Sequence, residues 1–187
     1  QTSPLVDIMQ DLFPNADVAI QPGIDVRNSS TQNMKDSNMI THTVAHTLTH
    51  GRRWHHEISS KGAIGLAHAN RLALEEDLSQ PLLLLEDDCY VTKPARFKQE
   101  VNALLRHADK FDMAAFGVFV TNKAKGEIAN WHPPNFCFMV DKFWLLHAVL
   151  YPPRGRAKIS SILYQPLEMQ IDSLYGAEAK QGNLVVL

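Results

Sequence analysis

The segment Pro81–Tyr90, "PLLLLEDDCY", places four consecutive leucines directly before three acidic residues. An uninterrupted apolar run of this kind is typical of a strand that is covered on both faces. Residues 62–78, "GAIGLAHANRLALEEDL", consist largely of strong helix formers and predict a helix that leads into this strand. Ligands of open parallel sheets bind beyond the carboxyl ends of the strands, so Glu86, Asp87 and Asp88 stand where a site is expected.

The segments around this core continue an alternation of helices and strands. Residues 3–14 predict an amphipathic helix and residues 16–20 a short strand, while the polar stretch 28–60 predicts a long loop with room for one short helix. Further predicted elements are a helix at 95–108, strands at 113–120 and 135–140, a helix at 141–150, a short helix at 166–176 and a closing strand at 183–187. This order predicts a single α/β domain over residues 1–187, with a first strand expected upstream of residue 1.

Composition limits the classes of partner. The chain has 187 residues, of which 45% are apolar, and its 18 basic and 20 acidic residues are mixed along the sequence. A net charge of −2 provides no polycationic face, which argues against a nucleic-acid partner. No apolar run approaches the roughly 20 residues that span a bilayer, so no membrane span is expected. Cys89 and Cys137 are too few for a disulfide scaffold, and this low cysteine content favours a cytoplasmic location. A membrane-associated acceptor is compatible with that location.

The acidic residues predict a cation site. Alternation along a strand sends Glu86 and Asp88 to one side and Asp87 to the other. Two facing carboxylates repel each other unless a cation neutralises them, and Mg²⁺ or Mn²⁺ with oxygen ligands would do so. Such an ion would suit sugar transfer from a nucleoside diphosphate sugar, because charge develops on the diphosphate leaving group. The alternative is a solvated loop that begins after a core strand.

The stretch from Lys61 to Pro94, "KGAIGLAHANRLALEEDLSQPLLLLEDDCYVTKP", resembles the glycosyltransferase family named for lipopolysaccharide biosynthesis, which includes collagen galactosyltransferase-like proteins. The matching positions are Gly62, Ile64 and Gly65 of a Gly-x-Ile-Gly turn, Glu86, Asp87 and Asp88 of a Glu-Asp-Asp motif, and Asp172 and Leu174 in "PLEMQIDSLYG". The resemblance covers residues 60–187 in the expected order.

The resemblance implies a GT-A-like fold, in which a mixed, mostly parallel sheet is flanked by helices. It also implies a nucleoside diphosphate sugar as donor, with a UDP-sugar favoured, a glycan or glycoconjugate as acceptor, and transfer with inversion. Glu86 and Asp88 would bind Mn²⁺ or Mg²⁺, and Asp87 would orient the donor. Gly62 and Gly65 would let the backbone approach the donor.

Other residues are candidates for the base and for the diphosphate site. Glu168 and Asp172 are four positions apart and would share one face of a helix, so either could deprotonate an acceptor hydroxyl. The resemblance favours Asp172, and the alternative is that both are solvated helix acids. Arg154 and Arg156 in "PPRGRAKIS" would suit diphosphate oxygens if that segment is a loop, or would be ordinary surface residues.

Trp131, His68 and a series of regularly spaced histidines are further candidates for functional residues. Trp131, in a Pro-flanked loop, is an acceptor-stacking candidate, and His68 is expected to be a satisfied buried histidine. His42, His46 and His50 recur at four-residue intervals, which makes a zinc-dependent hydrolase the alternative enzyme class, although the Glu of His-Glu-x-x-His is absent. A non-catalytic carbohydrate-binding relative is the third possibility.

Overall fold

The computed structural model describes residues 4–123 and 131–187. The helices are α1 (Pro4–Leu12), α2 (Thr31–Asp36), α3 (His42–His50), α4 (Lys61–Glu75), α5 (Pro94–Leu105), α6 (Pro153–Leu163) and α7 (Ile171–Lys180). The strands are β1 (Leu82–Leu85), β2 (Ala114–Phe116), β3 (Phe119–Lys123), β4 (Val140–Trp144) and β5 (Ala148–Tyr151). The predicted helices at 3–14, 62–78 and 95–108 correspond to α1, α4 and α5.

The fold is mixed α/β, but its described strands pair antiparallel. A three-stranded sheet has the order β1-β5-β2, and β3 and β4 form a separate pair. In the ladder between β1 and β5, Leu82 faces Tyr151 and Leu85 faces Ala148. A parallel bridge joins Met113 to Val186 in the chain end, which was predicted as a strand. The mostly parallel sheet of a GT-A-like domain is therefore not formed by the strands in residues 4–123 and 131–187.

The leucine run forms the strand that the sequence predicts, and each of its faces packs against an apolar cluster, but β1 is an edge strand and its leucines are half-buried. Leu82 and Leu84 pack against one apolar cluster, which includes Leu74 of α4. Leu83 and Leu85 pack against a second cluster. On a strand, neighbouring side chains point to opposite faces, so four consecutive leucines supply both layers.

The predicted helix at 141–150 is wrong. Residues 141–144 belong to β4, and β5 begins at Ala148. Leu145 between them has a φ of 73°, which a helix does not tolerate. Phe143, Leu146 and Val149 are spaced as on a helix, but β5 is buried along its whole length between β1 and β2. Burial in the middle of a sheet outweighs local helix preference here.

Several other segments also differ from the predictions. Residues 16–20 run without strand pairing, and only the end of 135–140 enters β4. The stretch 28–60 contains both α2 and α3, capped by Ser30, whose side chain accepts a bond from Asn33 N–H, and by Thr41. The strand expected at 113–120 divides into β2 and β3 at Gly117, whose φ is 70°.

The segment predicted as the basic loop "PPRGRAKIS" is the first part of α6. Pro153 occupies the first helical turn, where a missing N–H costs nothing. Gly155 lies so close to the backbone of Asp112 that a Cβ atom there would overlap the Asp112 carbonyl. Helix α6 packs against α4. Among the described residues, no helix is both long and apolar enough to cross a bilayer.

Candidate metal centre

A cluster of three potential metal ligands lies where β1 ends. The β1–β5 ladder continues one step beyond the strands, because Glu86 N–H donates to the His147 carbonyl at 2.9 Å. The chain then turns, and Cys89 N–H donates to the Glu86 carbonyl at 3.0 Å. This turn folds Asp88 back toward Glu86. One residue from each side of the ladder and one from the turn therefore face the same space.

The ligand atoms of Glu86, Asp88 and His147 all lie within 4.8 Å of one another. His147 Nδ1 is 2.8 Å from Glu86 Oε2 and 3.7 Å from Asp88 Oδ1. Metal–ligand bonds of about 2.1 Å place neighbouring ligands about 3.0 Å apart in an octahedron and about 3.4 Å apart in a tetrahedron. The observed separations bracket those values. The donor types and the two distances from His147 are therefore compatible with a divalent cation.

The cluster is open to solvent on one side. The side chain of Asp88 is 74% exposed, whereas those of Glu86 and His147 are 30% and 36% exposed. Burial, together with the negative charges of Asp88 and Glu86, raises the pKa of the neighbouring Cys89 thiol. The local potential is therefore negative, and the exposed side leaves space for water or substrate oxygens around a cation.

The predicted proximity of Glu86 and Asp88 is confirmed, but its cause is different. Strand β1 ends at Leu85, so the turn brings the two carboxylates together and strand alternation does not. Asp87 is exposed and lies outside the group of three. His147 was missed because the sequence around it was predicted as a helix. Its pairing with Glu86 depends on residues 61 positions apart in the chain.

Asp172 lies next to the segment that carries His147. Asp172 Oδ2 accepts a hydrogen bond from Leu145 N–H at 3.3 Å, and Oδ1 accepts one from Ser173 N–H at 2.6 Å. Leu145 is two residues before His147. Asp172 therefore supports the left-handed residue at which β4 leads toward the cluster. Glu168 is exposed and precedes α7, so the prediction that it shares a helix face with Asp172 is wrong.

Arg156 is a structural residue in α6, and the prediction that it binds diphosphate does not fit the structure. It is 3% exposed. Its Nε and Nη2 donate to the carbonyls of Leu74 and Ala73 at 3.0 Å, and its Nη1 donates to the Gln80 carbonyl at 2.8 Å. These contacts cap the carboxyl end of α4, where carbonyls have no helical partner. Three N–H groups of the guanidinium are therefore used inside the fold.

Arg154 is also committed within the fold. Its Nε donates to Asp112 Oδ1 at 2.8 Å, and its Nη1 donates to the Asp109 carbonyl at 2.7 Å. Lys158 Nζ and Val185 N–H donate to the other Asp112 oxygen. Because Asp112 is fully buried, it needs these positive partners. The prediction of a diphosphate ligand at Arg154 is therefore also unsupported by its contacts.

The two glycines of the family-like turn have different surroundings. Gly65 is buried in α4, and a Cβ atom there would overlap the carbonyl of Ile24. Its lack of a side chain therefore allows the helix to pack on the segment at residue 24, and this contact does not involve a donor site. Gly62 is exposed in the first turn of α4 and has only Ser60 Oγ within van der Waals range.

The other candidates do not join a site among the described residues. Trp131 is 9% exposed and its ring packs near His107, with centroids 5.6 Å apart, so it is a core residue and no open stacking platform. The rings of His46 and His50 stack at 4.2 Å on α3. Within residues 4–123 and 131–187, the group at Glu86 is the sole set of three ligand side chains close enough to share one ion.

No family model matches the chain, and no curated protein or solved structure matches it either.

Proposed function

We propose that this chain is a metal-dependent glycosyltransferase that moves a sugar from a nucleoside diphosphate sugar to a glycan or glycoconjugate. The observation that carries the proposal is the convergence of Glu86, Asp88 and His147 at the end of the half-buried strand β1. The proposed relation to GT-A-like enzymes rests on the acidic motif that follows this strand, since the order and direction of the described strands do not support it.

In this proposal the three side chains hold Mn²⁺ or Mg²⁺, and the exposed side of Asp88 faces the donor diphosphate. A bound cation would neutralise part of the diphosphate charge as the sugar departs. The short contact between His147 Nδ1 and Glu86 Oε2 holds the two ligand atoms together, and a bound cation would replace the proton that they share. Asp87, which is exposed beside the cluster, is then in position to contact the donor ribose or sugar.

Asp172 is the proposed base or acceptor anchor. Its two oxygens each accept one backbone hydrogen bond, which fixes the carboxylate and leaves lone pairs for an acceptor hydroxyl. It is only partly buried, so a hydroxyl can approach it. Asp172 is bonded to Leu145, which lies two residues before His147. A shift in the position of Asp172 would therefore also shift His147, and the reverse.

Metal binding should be measured first, by loss of the free Mn²⁺ signal in electron paramagnetic resonance. Asp88→Asn and His147→Gln should each weaken Mn²⁺ binding at least about tenfold. Asp87→Asn is the matched control, because it removes an adjacent exposed carboxylate that is outside the group, and its Mn²⁺ affinity should be unchanged. Unaltered affinity in both ligand variants would refute the metal centre.

Nucleotide specificity follows by thermal denaturation with UDP, GDP, CDP and dTDP and their sugars. A ligand that binds only the folded state raises the melting temperature. The proposal expects stabilisation by one nucleotide family that depends on Mn²⁺ and disappears in Asp88→Asn. Tight Zn²⁺ binding without any nucleotide response would instead favour a hydrolase at the same three residues, because His and carboxylate ligands also suit catalytic zinc.

A further inference from the structure

A second candidate site lies in an open groove beside α4. The groove has a volume of about 390 Å³, which is within the range of small-molecule sites. It is bounded by α4, by the turn after α2 and by the end of α6. The lining residues are Ile24, Ser37, Asn38, Met39, His68, Arg71, Leu72, Tyr164 and Gln165. None of these residues belongs to the metal cluster, so the groove is independent of the proposed function.

Two nitrogen atoms in side chains that line the groove lack hydrogen-bond partners in the protein and are shielded from solvent. His68 is 7% exposed, and its Nε2 is buried without an acceptor. Arg71 Nε is likewise buried and has no hydrogen-bond partner, although it forms a long ion pair with Glu75. A buried donor without an acceptor costs about 1–3 kcal/mol. The sequence predicts a buried, satisfied histidine at position 68; the burial is confirmed, and Nε2 has no partner within the protein.

The two residues are close because they are three positions apart on one helix. Burial and the positive charge of Arg71 lower the pKa of His68. A neutral imidazole carries one N–H, which it can donate to an oxygen acceptor. A positively charged guanidinium beside a neutral ring donor is suited to an anionic oxygen.

The guanidinium of Arg71 is held only weakly in its present position. Its Nε is 3.8 Å from Glu75 Oε1, which is too far for a hydrogen bond. Its Cζ lies 5.3 Å from the ring centroid of Tyr164, at the distance of a cation–π contact. Because 26% of the side chain is exposed, a change of rotamer can bring its donors to a ligand.

We propose that this groove binds a small organic anion, whose acidic group accepts hydrogen bonds from His68 and Arg71. The apolar or aromatic part of the ligand would pack beside Tyr164 and Leu72, which are 68% and 43% exposed. A carboxylate and a phosphate monoester share the required chemistry. Both would supply acceptors for the two nitrogens once a change of side-chain rotamer uncovers them to the groove.

The experiment is an NMR titration of the ¹⁵N-labelled chain with benzoate, phenyl phosphate and the neutral analogue benzyl alcohol. At least one anion should cause saturable shifts in the backbone amides of Ser37, Asn38 and Leu72, and benzyl alcohol should bind at least about tenfold more weakly. The imidazole signals should show that the bound anion raises the pKa of His68. The two anions distinguish a carboxylate site from a phosphate site.

Arg71→Gln tests the role of the guanidinium and should weaken anion binding at least about tenfold. Arg96→Gln is the matched control, because Arg96 also pairs with a glutamate four residues later, on the exposed face of α5. It should bind the anions like the unmodified chain. Equal binding of the anions and benzyl alcohol, full affinity in Arg71→Gln, or no saturable shift up to tens of millimolar would overturn the proposal and leave water as the groove's occupant.

Discussion

Replacement of Arg156 by Met should strongly destabilise the fold, because this side chain connects α6 to the end of α4 and to the segment before β1. The structure gives Arg156 three hydrogen bonds to the carbonyls of Ala73, Leu74 and Gln80. Hydrogen bonds from a charged donor contribute about 1.5–3 kcal/mol each, which sets an upper bound of about 9 kcal/mol. The cost of burying a guanidinium reduces the net loss to about 3–5 kcal/mol.

The free energy of unfolding should be measured by urea denaturation, monitored by circular dichroism. Arg156→Lys retains the charge near the α4 carbonyls but cannot make three bonds, so its loss should be smaller than that of Arg156→Met. Arg96→Gln removes an exposed ion pair and should change stability by less than about 1 kcal/mol. A loss below about 1 kcal/mol in Arg156→Met would refute the structural role, and reduced nucleotide binding without destabilisation would restore the diphosphate role.

Two further predictions concern packing and thiol chemistry. Gly65→Ala should destabilise the chain by about 1–3 kcal/mol because its Cβ would overlap the Ile24 carbonyl. Gly62→Ala has open space around it and should be tolerated. Equal melting temperatures for the two variants would contradict this packing. Burial and, less strongly, the charge of a nearby glutamate raise the pKa of Cys137 from 9.0 to about 11. In a Cys89→Ser background, the thiolate fraction of Cys137 near pH 8 should therefore be about a hundredfold lower in the folded chain than in the unfolded chain. Cys137 therefore contributes stability that is present below pH 9 and is lost as pH rises toward 11, and alkylation in the folded state as fast as in urea would show that this pKa is not raised.

Local patterns were sufficient where one segment determines its own structure. Helices α1, α4 and α5 follow from apolar spacing and helix formers, and the run Leu82–Leu85 forms the predicted strand. The proximity of Glu86 and Asp88 was also predictable, because residues two apart after a strand end can reach each other through a turn. These features depend on interactions within a few residues.

Strand direction and the third ligand were not predictable from local patterns. Phe143, Leu146 and Val149 are spaced as on a helix, whereas the place of Ala148–Tyr151 between β1 and β2 makes that segment a strand. Its antiparallel pairing brings His147 beside Glu86. A pair separated by 61 residues leaves no periodic signal in one sequence.

The sequence by itself determined helices α1, α4 and α5, the leucine strand and the acids at its end, because backbone preference and apolar periodicity act over one or two turns. The tertiary structure alone decided which polar residues serve the fold and which remain available. Arg156 is occupied by carbonyls at the end of α4, whereas His68 has a buried nitrogen with no acceptor. Both outcomes depend on which distant segments pack against a helix, since a polar side chain is satisfied or left free by neighbours that the chain brings together only on folding.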